Sequence, residues 1–250
     1  MAKRFEELDW AQTSIGEISL RRRRDPVVDV DVYEVKLGDE FLMSSLFTVV
    51  EEELARLGLA AAAGDDLRVV VGGLGLGFTA CAALADRRVA RLDVIELVEP
   101  VIDWHRRGLI PATAGLVDDP RVTLRQADFF ELVRTGQCPT ADVLLVDIDH
   151  SPANLLHPGH QDLYGPDGLE RVRAALRPGG VFALWSDDPV DAEFEAALVG
   201  VFGQATSHVV TFANPLTRGT SANTVYVAET RTSSGGETGQ GRLNTGHTGP

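Results

Sequence analysis

The sequence predicts an α/β fold. A mostly parallel seven-stranded sheet carries helices on both faces, ends in an antiparallel strand pair, and follows a small β-hairpin region. Three observations carry this. Buried-strand runs alternate with amphipathic runs along the middle of the chain, which is the pattern of a parallel sheet covered on both sides. The last two strand-like segments, ATSHVVTFA and NTVYVAE, have no helix between them and therefore pair antiparallel. The 250 residues are 44% hydrophobic and 24% charged, enough for an ordinary core.

Residues 1–43 read as the β-rich lead-in. YEVKL alternates, LGDE turns and FLM resumes the apolar run, giving a hairpin. Arg21 to Arg24 form a basic run in it, read as a solvated face, with a phosphate or carboxylate contact as the sharper alternative. In SSLFTVVEEELARLGLA, Leu46, Val49, Val50, Leu54 and Leu57 recur at helical spacing, with Ser44 or Ser45 as cap. Strand LRVVVGG then leads into helix LGFTACAALAD, and strand RLDVIEL into helix EPVIDWHRRG. RVTLRQAD and ADVLLVDID are the third and fourth strands. Helix DGLERVRAAL stops at RPGG, VFALWS is the fifth strand, and helix DAEFEAALVGVFG precedes the final pair. The expected division is 1–43 as hairpin region, 44–229 as a Rossmann-like nucleoside-binding catalytic domain, and 230–250 as a disordered tail, because TRTSSGGETGQGRLNTGHTGP has almost no apolar residues.

The net charge is −14, which argues against nucleic acid as a partner, since affinity for a phosphate backbone comes from Lys and Arg. A cationic substrate suits it better. The two cysteines, Cys81 and Cys138, fit neither a metal motif nor a disulfide framework, and the six histidines show no metal-ligand spacing. No metal is expected. No run reaches the length of a membrane span, and MAKRFEELDW lacks the apolar region of a signal peptide, so the expected setting is the cytoplasm, away from membranes. The lead-in offers a strand edge through which two chains can pair as a homodimer.

VVVGGLGLG, residues 69–77, places four glycines directly after the first buried strand. Ligands of open parallel sheets bind at the carboxyl ends of strands, so this turn lies at the expected site. Gly73, Gly75 and Gly77 form G-x-G-x-G, whose third glycine comes one place too early for the dinucleotide pattern and suits an S-adenosyl ligand. Glu96 ends the second strand, where a carboxylate can take two ribose hydroxyls. Asp128 ends the third, where an acid can take the adenine amino group or simply cap the helix starting at FFELV. Asp147 ends the fourth and most apolar strand, followed by Asp149, His150 and a long loop holding His157, His160 and Gln161. Loops of that length at a ligand edge are often lids.

These residues resemble the spermidine synthase family, the polyamine aminopropyltransferases, from about residue 30 to 229. VVVGGLGLG stands where the family has a GGGDGG-like turn, IELVE matches its C-E-[IV]-D at Glu96, and Ala127-Asp128 matches its G-D-[AG]. Asp147 aligns with the first acid of D-S-[ST]-D-P, and HQDLYGPDGLERVRAALRPGG echoes the helix start L-F-x-x-x-F-Y. The resemblance implies decarboxylated S-adenosylmethionine as donor, a small amine as acceptor, Glu96 on the ribose and Asp128 on the adenine. The sequence departs from the family at several places, and the family's aromatic-rich amine pocket is not traceable in it. The acid of the glycine turn, which in the family helps fix the amine end of the donor, is replaced by Leu74 or Gly75, and the second acid of the catalytic run falls at His150.

An amine nucleophile must lose a proton before it attacks, and a carboxylate at the pocket mouth can anchor the cation and accept that proton. Asp147 is the candidate. Asp149 is expected to raise its proton affinity by like-charge repulsion, and His150 to relay the proton. Tyr164 and Gln161 are candidates for the amine side of the pocket. Trp185 stands either at that pocket or in the core, and Asp187 and Asp188 are expected to begin the last helix. Two other readings stay open: a methyltransferase using intact S-adenosylmethionine, and a nucleoside-binding scaffold without turnover.

Overall fold

The computed structural model describes residues 5–230. The tail expected beyond residue 230 lies outside the described residues, and Thr230 itself closes the last strand.

The lead-in is a four-stranded antiparallel meander: β1 (Phe5–Thr13), β2 (Gly16–Arg24), β3 (Asp31–Leu37) and β4 (Glu40–Ser44), in that order. The expected hairpin is its second half, β3–β4. The sequence pattern points to that half alone, because on the edge strand β1 the apolar Phe5 and Trp10 lie on the exposed side, each more than half exposed. The arginine run lies on β2 and is neutralised across the ladder. Arg22 pairs with Glu6 at 2.7 Å, Arg23 with Glu34 and Asp25 at 2.6 Å each, and Arg24 with Asp29 at 2.9 Å.

The first helix, α1 (Val49–Ala61), starts later than its sequence signal, after Thr48. Ser44 and Ser45 do not cap it. Their hydroxyls accept from the backbone N–H groups of Leu46 and Tyr33. Its buried face is Val50, Glu51, Leu54, Ala55, Gly58 and Leu59, whereas Val49 is exposed and Leu46 precedes the helix. An acid therefore sits on a face that the apolar pattern assigns to hydrophobic residues.

Strands β5 (Leu67–Gly72), β6 (Val89–Glu96), β7 (Val122–Gln126), β8 (Ala141–Val146), β9 (Leu176–Ser186), β10 (Gly203–Asn214) and β11 (Gly219–Thr230) form one sheet in the order β10-β11-β9-β8-β5-β6-β7. The five strands β5 to β9 run parallel, and β11 lies antiparallel to both β9 and β10. The RPGG segment, expected to end a helix, opens β9. Helices α2 (Phe78–Ala85) and α3 (Glu99–Arg106) join α1 on one face. On the other face lie α4 (Phe129–Arg134), the short α5 (Gln161–Tyr164), α6 (Pro166–Ala174) and α7 (Ala192–Phe202). The chain leaves β5 toward β6 and later returns to β5's other side at β8, so the switch point of the sheet lies between β5 and β8.

Candidate active site

A cavity of about 1270 Å³ opens at this switch point. Gly73, Glu96, Asp147 and Trp185 wall it from the ends of β5, β6, β8 and β9, while Phe41 and Met43 of β4 and Phe212 of β10 reach over it.

The glycine turn is shaped by its neighbours. Gly73 has φ +94°, and a Cβ there would lie 2.1 Å from the carbonyl oxygen of Asp147. Gly75 has φ +47°, and a Cβ would lie 2.4 Å from Met43 Sδ, which also accepts from the Leu76 N–H at 3.1 Å. Only glycine fits at Gly73, against backbone, while at Gly75 the left-handed φ makes any side chain strained. Gly77 stands behind the cavity as the left-handed N-cap of α2, against His105. His105 Nε2 lies 2.9 Å from the Gly75 carbonyl, and because a carbonyl only accepts, Nε2 carries the proton. Burial pushes the His105 pKa down and keeps the ring neutral in that role.

Glu96 Oε2 accepts from the Leu74 N–H at 2.9 Å, and Oε1 from the Val98 N–H at 2.8 Å. Burial raises its pKa, opposed by these backbone donors. The turn and the acid after the second strand thus form one hydrogen-bonded unit. Asp128 lies on the cavity wall and caps α4, its Oδ1 accepting from the Glu131 N–H at 3.1 Å. The two uses that the sequence leaves open for it are compatible, because a carboxylate has acceptor sites to spare.

Asp147 is one residue past β8. Its N–H donates to the Gly72 carbonyl at 2.9 Å, continuing the ladder across the switch point. Its Oδ2 accepts from the Thr79 hydroxyl at 2.6 Å. Burial raises its pKa to about 6, with the Thr79 bond opposing the rise. A carboxyl poised there exchanges a proton readily near neutral pH.

The acid that feels the charge of Asp147 is Glu51, which the sequence did not single out. Glu51 is 9% exposed, lines the cavity from the first turn of α1, and has its pKa raised to about 8 by burial and by the charge of Asp147. Its only sequence signal was its place on the helix's apolar face.

Asp149 points elsewhere. It is 2% exposed and stands off the cavity wall. Its Oδ2 accepts from the Tyr164 hydroxyl at 2.8 Å, and its Oδ1 accepts from the Leu156 N–H at 2.8 Å and lies 2.7 Å from His160 Nδ1. Asp149 therefore ties down the loop after β8. The Tyr164 hydroxyl is spent on Asp149, with its pKa raised by burial and by that carboxylate's charge. Gln161 is exposed at the start of α5 and does not line the cavity. His160 stacks on Phe130 at 3.7 Å between ring centroids and contributes to the wall. His150 also lines the wall, with Nε2 3.3 Å from Glu40 and Nδ1 3.8 Å from Asp187. Asp187 faces the cavity and does not begin α7, which Asp191 caps. Trp185 lines the cavity too, with its Nε1 buried and without a hydrogen-bond partner among the described residues.

Among the lining residues the acids are Glu51, Glu96, Asp128, Asp147 and Asp187, and the arginine, Arg134, is paired with Glu131. The cavity therefore favours a cation. Among the described residues, no group of three or more His, Cys, Asp or Glu is placed to hold a metal ion. No helix among them is long and apolar enough to cross a membrane.

The glycine-walled cavity lies at the switch point of an open α/β sheet, at the strand carboxyl ends where sheets of this kind take their ligands. Residues 48–217 match the Spermine/spermidine synthase domain, and the chain belongs to that family. Similar curated proteins are transferases. The polyamine aminopropyltransferase of Nitrosomonas europaea (strain ATCC 19718) is 28% identical over 198 residues, covering 74% of this chain and 58% of that protein. That of Prochlorococcus marinus (strain MIT 9313) is 32% identical over 138 residues, 55% of this chain and 46% of that protein. Putrescine N-methyltransferase 2 of Nicotiana tabacum is 32% identical over 130 residues, 52% of this chain and 35% of that protein. The chain thus spans about a third of the tobacco relative's length. A spermidine synthase solved with the transition-state analogue AdoDATO superposes with TM-score 0.70 at 21% identity, over 90% of this chain and 74% of that one. The spermidine synthase of Thermotoga maritima does so with TM-score 0.69 at 18% identity, over 90% and 73%. At those identities the superpositions speak for the fold.

Proposed function

We propose that the protein transfers an aminopropyl group from decarboxylated S-adenosylmethionine to a small amine. The observation that carries this reading is Asp147, a buried carboxyl poised near neutral pH against the glycine turn of an acid-walled cavity. In this reading the glycine turn gives the donor room, Glu96 takes the ribose hydroxyls and Asp128 the adenine. Asp147 first holds the acceptor as an ammonium and then accepts its proton. The freed lone pair attacks the carbon beside the sulfonium, the C–S bond breaks toward sulfur, and methylthioadenosine leaves as a neutral thioether. The sulfonium is already activated, so catalysis consists of alignment and this proton transfer. The division into a lead-in of residues 1–43 and a catalytic unit of 44–229 fits this reading, with β4 of the lead-in roofing the cavity.

The similarity to putrescine N-methyltransferases favours a second reading, methyl transfer from intact S-adenosylmethionine. Mass spectrometry separates the two. The protein is incubated with each donor and a pool of small amines. Methylthioadenosine above the no-enzyme background identifies aminopropyl transfer, and the new amine's mass names the acceptor. S-adenosylhomocysteine identifies methyl transfer and overturns the first reading.

A further inference from the structure

Building on the sulfonium donor proposed above, we infer that Glu51 selects the donor: its carboxylate binds the terminal ammonium of the decarboxylated form and repels the carboxylate of intact S-adenosylmethionine. Glu51 is buried, faces the cavity, and forms no ion pair with any cation among the described residues. Its own backbone N–H is the hydrogen-bond donor it meets. A buried charge without a partner is costly, so such a carboxyl either keeps its proton or waits for a cation. The Asp147 charge beside it sharpens that demand. A ligand ammonium relieves both.

The placement favours the donor's ammonium over the acceptor's. Asp147 rests its carbonyl on Gly73 and its carboxylate on Thr79, in the first turn of the helix that leaves the glycine turn. The Glu51–Asp147 pair therefore stands against that turn, which itself carries no acid through Gly73, Leu74 and Gly75. In an aminopropyl donor, a three-carbon chain separates the ammonium from the sulfonium. The base that serves the attacked carbon and the acid that holds the ammonium must then line one cavity within reach of each other's charge, as Asp147 and Glu51 do. Intact S-adenosylmethionine carries a carboxylate on the carbon bearing its ammonium. That would bring a further carboxylate against two buried carboxyls in a poorly solvated site, where it lacks a cationic partner and is repelled by each of them that is ionised.

The test is calorimetric titration of the full chain and of Glu51→Gln with methylthioadenosine, decarboxylated S-adenosylmethionine and S-adenosylmethionine. The unfolding midpoint of each protein is measured alongside. Glu51→Gln should weaken the decarboxylated donor about 10-fold or more, the scale of a lost charge-assisted contact. Methylthioadenosine, which has no ammonium, should stay within about twofold, and the preference for the decarboxylated donor over the intact one should collapse. An equal loss for all three ligands, or no loss for the decarboxylated donor, would overturn the inference. If the native chain binds methylthioadenosine while Glu51→Gln leaves donor preference unchanged, only the role of Glu51 fails. If the native chain binds none of the three, the sulfonium reading fails and takes this inference with it.

Discussion

The Thr79 hydroxyl donates to Asp147 Oδ2 at 2.6 Å, joining the first turn of α2 to the end of β8 across the switch point. This bond favours the charged carboxylate, while burial favours the neutral acid. Thr79→Val keeps the shape and removes the donor. The acid limb of the kcat/KM profile should then move to higher pH, because Asp147 holds its proton more tightly. An unmoved limb assigns that ionisation to another group.

Asp147→Asn should lower turnover by roughly 100-fold or more, the usual range for loss of a general base, with nucleoside affinity nearly unchanged. Single-turnover kinetics and equilibrium binding on one preparation separate the two quantities. Turnover close to that of the native protein would remove Asp147 from the role of base.

Glu96→Gln should act in the opposite way, raising the dissociation constant for methylthioadenosine by about 10-fold, as for other contacts to a charged group. The amide retains one acceptor oxygen and therefore only one of the two backbone bonds to Leu74 and Val98. An unchanged dissociation constant would take Glu96 off the ribose.

Tyr164→Phe removes a hydrogen bond to a buried carboxylate and should cost about 1–3 kcal/mol of stability. If Tyr164 serves only the loop after β8, methylthioadenosine affinity stays within about twofold, far less than a lost contact to the ligand would cost. Denaturant unfolding with calorimetric titration reads both. A large loss of affinity without a loss of stability would return Tyr164 to the pocket.

Glu51 adds a pH dependence of stability. Its pKa in the folded protein, about 8, lies above its ordinary value of 4.5. Its contribution is therefore complete below about pH 4.5 and is lost as pH rises through about 8. Asp147, raised to about 6, acts in the same direction over a lower range. Glu51→Gln should thus be the more stable protein at pH 9, by roughly 2 kcal/mol or more given about 1.4 kcal/mol per pKa unit, with the gap closing toward pH 5. Parallel stability curves for the two proteins would mean that Glu51 is not held in a charge-averse site.

The sequence alone determined the sheet, its parallel run with an antiparallel end, and the meeting of the glycine turn, Glu96, Asp128 and Asp147 at the strand ends. Those signals are local. A run of valines closed by glycine reports burial and a tight turn within a few residues, and strand-helix alternation fixes which strand ends share an edge. The first hairpin of the lead-in was illegible because β1 puts Phe5 and Trp10 on its exposed side and Glu6 on its half-buried one, with a bulge between Glu7 and Asp9, so apolar residues do not mark its inner face. The division of labour between Asp147 and Asp149 was decided by tertiary structure. Two acids at i and i+2 share a side only while a strand continues, and β8 stops at Val146. Beyond it, Asp147 follows Thr79 while Asp149 follows Tyr164 and His160. Glu51 and Met43 reached the site through α1 and β4, elements whose own patterns report only that they are helix and strand. No local periodicity encodes which buried face meets a cavity built 96 residues away in sequence (Glu51 to Asp147, 147 − 51), because that is fixed by how the layers close on one another.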